Sequence, residues 1–140
     1  SALLGADDTT FVLVSSPSAL GVDDAEAFVS RLESRNHHVG AVILNRTTPD
    51  PWQTSPPSSE VFVNAVQTHG ADEALAHKLY EAALADRSRA TAEAEAAEAL
   101  RAQYPKIAVI SVPDLVQDVH DLKGLSMLRD ALDKDAKTGE

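Results

Sequence analysis

Three short apolar runs constrain this chain most: residues 9–15 (TTFVLVS), 39–44 (VGAVIL) and 107–112 (IAVISV), each of strand length and set apart by helix-length stretches. Runs of this kind, rich in β-branched residues, are the pattern of strands buried on both faces. Their alternation with crossover-length segments predicts parallel pairing, right-handed connections and an open α/β sheet of about three strands with flanking helices. The core must come from Ala, Val, Leu and Ile, because 44% of the 140 residues are hydrophobic but only 4% aromatic. One domain spanning residues 1–140 is expected. So small a parallel sheet also implies further strands on its amino-terminal side.

Between the runs, the expected elements follow from local chemistry. Pro17 stops the first run, Asp23 and Asp24 bring acidic charge to a helix start, and Ala25, Phe28, Val29 and Leu32 recur at helical spacing to about Arg35. Asn36, His37 and His38 close that helix. Residues 47–59 (TTPDPWQTSPPSS) are proline-rich and carry no periodic pattern, which predicts a surface loop with a functional or mobile role. Residues 60–69 suit a short helix ended by Gly70. From 71 to 104 good helix formers dominate without Gly or Pro, giving one long helix or two broken near 86–88. After Pro113, a final helix is expected over 121–134, with Leu122, Leu125, Leu128 and Leu132 on one side.

Charge and composition exclude several classes. A formal net charge of −10, from 22 acidic and 12 basic residues, argues against a nucleic-acid or anionic-membrane surface. The absence of cysteine removes disulfides, thiolate metal sites and a thiol nucleophile, and fits a cytoplasmic chain. No apolar run reaches the roughly 20 residues that span a bilayer, so no direct membrane insertion is expected. The opening SALLGADD lacks the basic and apolar regions of a signal peptide, and a start without Met suggests an excised piece.

In open parallel sheets, ligands sit beyond the carboxyl ends of the strands. The residues there are Ser15-Ser16-Pro17, Asn45-Arg46 and Pro113-Asp114-Leu115. Strand-Ser-Ser-Pro, followed by Leu20 and Glu26 in the next helix, then strand-Asn45-Arg46, resembles the deviant-P-loop ATPases of the arsenite-pump and tail-anchored-protein-targeting family. VPDLVQDVHDLKGL resembles that family's late strand, its proline-bearing adenine loop and its closing Gly-Leu helix. The resemblance implies a carboxy-terminal part of a P-loop NTPase-like fold that contributes to an ATP site. It places adenine recognition on Asn45 with Arg46, and on Pro113 with Asp114 and Leu115. An Asn side chain offers one donor and one acceptor, the complement of N6 and N7 of adenine. Asn45 also has an ordinary reading as a strand-ending turn residue, Pro113 as a strand stop and Arg46 as a solvated charge.

Equally informative is what the chain omits. No glycine-rich lysine loop occurs, nor the switch aspartate that activates water, so phosphoryl transfer would lack its main electrostatic stabilisation. The resemblance therefore implies ATP, with magnesium in the intact parent, but no tight nucleotide binding or hydrolysis by this chain alone. The expected partner is the remainder of the ATPase, its amino-terminal P-loop half, with a homo- or heterodimer as a further possibility. A stand-alone α/β interaction module that no longer binds nucleotide is the alternative. His120 between Asp118 and Asp121 is read as a solvated loop, and Glu93, Glu95 and Glu98 as a solvated helix face; no metal site is expected.

Overall fold

The computed structural model describes residues 9–114. Among these the order is β1 (Thr10–Ser15), α1 (Ala19–Glu33), β2 (His38–Thr47), α2 (Ser59–Thr68), α3 (Glu73–Gln103) and β3 (Ala108–Pro113). All three strands are parallel, in the spatial order β1-β2-β3. The α/β class, the small open parallel sheet and its strand positions agree with the expectation from the apolar runs. The expected helix over 121–134, Leu115 and the His120 cluster lie outside the described residues. By its contacts the chain divides into two compact units: a sheet unit, described over 9–48 and 90–114, and a helical unit, described over 49–89.

In the sheet unit, α1 begins because Ser18 leaves the helix open at its first turn and its side chain accepts a hydrogen bond from the Gly21 amide at 3.1 Å. The cap thus lies five residues before Asp23, so the acidic pair sits inside the helix and not at its start. Val22, Ala25 and Val29 are buried, while Phe28 is 49% exposed and so stands outside the core that its spacing suggested. The helix ends at Ser34, and Asn36 reverses the chain in the left-handed region at φ 59°. Asn tolerates that conformation better than most residues.

One sheet face carries the core. Val42 and Leu44 of β2 and Val109 of β3 pack with Val22, Ala25 and Val29 of α1 and with Ala97 and Leu100 of α3. Both helices therefore lie on the same side. Deleting a side chain as fully buried as Leu100 or Leu44 typically costs about 2–5 kcal/mol. The opposite face departs from the sequence expectation. Val12 is 54% exposed, Val14 65% and Ile110 47%, so strands read as buried on both sides are covered on one among the described residues.

Within the helical unit, Trp52, Phe62, Val63, Val66, Ala76 and Ala83 form a separate core. Trp52 meets the Phe62 ring edge-on at 6.1 Å, and Tyr80 lies 5.2 Å from Phe62. The proline-rich stretch is anchored and not simply a surface loop. Arg87 donates to the carbonyls of Trp52 at 3.0 Å and Thr54 at 2.6 Å, and Tyr80 donates its hydroxyl to the Pro57 carbonyl at 2.9 Å. Gly70, at φ 98°, ends the α2 turn as its position suggested. Of the two readings of residues 71–104, one unbroken helix is correct: α3 runs 31 residues without interruption. No helix among the described residues is long and apolar enough to cross a membrane.

Candidate functional site at the strand ends

Two bulges interrupt the sheet, one near the amino ends of β1 and β2 and one at the carboxyl ends of β2 and β3. Between β1 and β2 the register steps from Phe11↔Val39 to Val12↔Ala41, leaving Gly40 as the extra residue. Between β2 and β3 it steps from Asn45↔Val112 to Thr47↔Pro113, leaving Arg46 as the extra residue. Arg46 takes φ 64°, a left-handed conformation that costs a side-chain-bearing residue about 1–2 kcal/mol. Its guanidinium lies 3.7 Å from the Asp114 carboxylate, and the Asp114 amide donates to the Thr47 carbonyl at 2.9 Å. The bulge thus ties the exit of β2 to the exit of β3.

Asn45 stands directly beside this bulge. It is exposed, and its side-chain amide has no hydrogen-bond partner among the described residues. Strand alternation after Gly40 puts Asn45 on the same sheet side as Ala41 and Ile43, the uncovered side. Pro113 is exposed one ladder step beyond Val112, the partner of Asn45. Four of the five residues to which the resemblance assigns adenine recognition, Asn45, Arg46, Pro113 and Asp114, therefore occupy one edge of two adjacent strands. The fifth, Leu115, is outside the described residues.

The β1 exit is built differently. Ser15 donates its hydroxyl to the Gly21 carbonyl at 2.7 Å, and the Ser16 and Ser18 hydroxyls share a hydrogen bond at 2.8 Å. These three serines are occupied in shaping the strand-to-helix turn. Leu20 is exposed and Glu26 half-buried.

Glu93 is a residue whose part at this edge the sequence did not disclose. Its carboxylate accepts from the Thr48 amide at 2.6 Å and from the Thr48 hydroxyl at 3.0 Å, clamping the chain as it leaves β2. Reading it as a solvated face missed this, because on an Ala- and Glu-rich helix nothing in the local pattern separates Glu93 from its neighbours. Glu98 does face solvent, paired with Arg101 one turn on, whose guanidinium also donates to the Val109 carbonyl at 2.9 Å. Among the described residues, no three His or carboxylate side chains converge as metal ligands would.

Chemically, this edge presents three kinds of group side by side. Asn45 offers paired donor and acceptor groups, Pro113 an apolar surface, and Arg46 and Asp114 opposite charges. No protein-family profile matches the chain, and no curated protein matches it to a significant degree.

Proposed function

We propose that this chain is the base-recognition half of an ATP-binding, ATP-hydrolysing protein similar to the arsenite-pump type of deviant-P-loop ATPase. The observation that supports it is the ladder step Asn45↔Val112 followed by Pro113, which makes the two strand ends carrying the resemblance neighbours in space. In a parallel sheet that edge is where ligands bind. On this reading the Asn45 amide pairs with the adenine edge, and Pro113 packs against the base. Arg46 and Asp114 hold the two exits at a fixed spacing. Phosphates and magnesium would be held by residues of the other half, because the chain has no glycine-rich lysine loop to cradle them. Magnesium-bound ATP supplies the phosphoryl chemistry there; the residues here bind and orient the base.

The test is calorimetry on the intact parent with ATP and GTP. Asn45→Ala should weaken ATP binding by about 1–3 kcal/mol, since a paired amide is lost and the base left unsatisfied. GTP should lose less, because guanine presents an acceptor where adenine presents its amine. Equal losses for both nucleotides, or tight ATP binding by the 140-residue chain alone, would overturn the proposal. A stand-alone interaction module is the second reading, favoured by the apolar sheet face that the described residues leave exposed. It requires that no phosphate-binding polypeptide accompany this chain.

A further inference from the structure

We infer that Glu93 is a positioning residue for the strand-end edge: through Thr48 it holds Arg46 in its left-handed conformation and so sets where the Asn45 amide stands relative to Pro113. A left-handed residue that carries a side chain persists only where its surroundings fix the chain on both sides. Upstream of Arg46, the ladder step Asn45↔Val112 does so. Downstream, the Asp114 amide takes the Thr47 carbonyl, and Glu93 takes the Thr48 amide at 2.6 Å and the Thr48 hydroxyl at 3.0 Å. The ion pair of Arg46 with Asp114 adds little, because the guanidinium side chain is 69% exposed. Thr48 is also the last residue of this exit that can be tied through its amide, since Pro49 has none to donate. Glu93 itself is firmly seated. It lies one turn before Ala97 and two turns before Leu100, on the α3 face that enters the sheet core, where both of those residues are buried. A carboxylate on such a face carries a desolvation cost that an apolar residue would not, so its presence there points to a role beyond packing. Without its grip on Thr48, Arg46 relaxes toward extended backbone and takes the ladder place opposite Pro113 that Thr47 now holds, which draws Asn45 and Pro113 out of their present spacing.

The inference rests on the proposed base recognition for its ligand, but its test separates the two. In the 140-residue chain, NMR reads Arg46 directly, because a positive φ gives a strong amide–Hα cross-peak within the residue. Glu93→Ala should abolish that cross-peak. Glu93→Gln should keep it, since the side-chain carbonyl can accept from the Thr48 amide while the NH2 group donates to the Thr48 hydroxyl. In the intact parent, calorimetry should show ATP binding weakened roughly tenfold by Glu93→Ala and left near the wild-type value by Glu93→Gln. The double variant Asn45→Ala/Glu93→Ala should bind no more weakly than Asn45→Ala alone, whereas a side chain that acted independently of Asn45 would add its own loss. If Glu93→Ala fails to fold by circular dichroism, Glu93→Asp, too short to reach both Thr48 groups, carries the same test with a smaller change. Loss of the cross-peak in Glu93→Ala and its return in Glu93→Gln, with no ATP binding by the parent, would retain the positioning role and refute the ATP proposal. Additive losses with Asn45→Ala would overturn the positioning role and leave the ATP proposal standing. An unchanged Arg46 cross-peak in Glu93→Ala would overturn the positioning role whatever the parent binds.

Discussion

At the residue scale, the most consequential positions are those where one side chain holds two segments. Arg87 is the clearest case in the helical unit, with two carbonyls and the Asp50 carboxylate, 3.4 Å away, around a single guanidinium nitrogen. Bonds from a charged donor are worth more than neutral ones, but this side chain is only partly shielded from water. Arg87→Ala should therefore cost about 1–2 kcal/mol, less than the sum of its contacts. Trp52 is the only tryptophan, so urea unfolding followed by its fluorescence reads this unit directly. A variant as stable as wild type would mean that the loop is held by its apolar packing alone. Glu93 sets a parallel case in the sheet unit: Glu93→Ala removes both Thr48 bonds and should cost about 1–3 kcal/mol, whereas Thr48→Val removes only the hydroxyl bond and should cost less. Equal losses, measured by denaturation of the two variants, would place the stabilisation in the hydroxyl and not in the amide.

At the scale of elements, α1 pits propensity against packing. Replacing Gly21 with Ala inside a helix ordinarily stabilises by about 1 kcal/mol. Here, however, a Cβ at Gly21 would lie 2.2 Å from the Ser16 hydroxyl and 2.3 Å from the Ser16 carbonyl oxygen. The second contact is backbone and cannot swing aside, so the β1 turn must shift. Gly21→Ala should consequently destabilise by about 1–3 kcal/mol, the usual cost of forcing atoms into packed space. Gly40→Ala meets only the Thr10 methyl, the end of a side chain that can rotate, and should cost less in the same thermal-unfolding assay. Element positions were largely legible because β-branched runs, Pro17 and Gly70 punctuate the chain strongly. The finer geometry was not. Arg is no left-handed former, so the bulge at Arg46 left no trace in the sequence, and Phe28 satisfies helical spacing while facing out. Of the strand-end edge, Asn45, Arg46, Pro113 and Asp114 were legible from position after a strand, whereas the Glu93 clamp depends on a contact 45 residues away in sequence.

For the whole molecule, the clearest response to pH comes from one residue of the sheet unit. Tyr104 follows α3 and packs against the sheet core, and its hydroxyl is raised above its ordinary value of 10.0. Burial is the larger cause, followed by the negative charges of Glu26 and Glu33 on α1. Each disfavours the phenolate in the folded protein, while the unfolded chain releases that proton at the ordinary value. The unfolded state therefore loses protons first as pH rises, and folding stability falls with it. The contribution is fully present below pH 10 and is lost as pH climbs from there through the raised folded value. Wild type should show a decline in its urea midpoint over that alkaline window that is smaller in Tyr104→Phe. Below pH 9 the two proteins should differ by a constant amount, because neither form of the residue then titrates. Raising the salt should shrink the wild-type decline only partly, since it screens the two glutamates but leaves burial untouched. Parallel alkaline profiles for wild type and Tyr104→Phe would show that the tyrosine ionises as freely in the folded chain as in the unfolded one, and would remove this residue from the pH response.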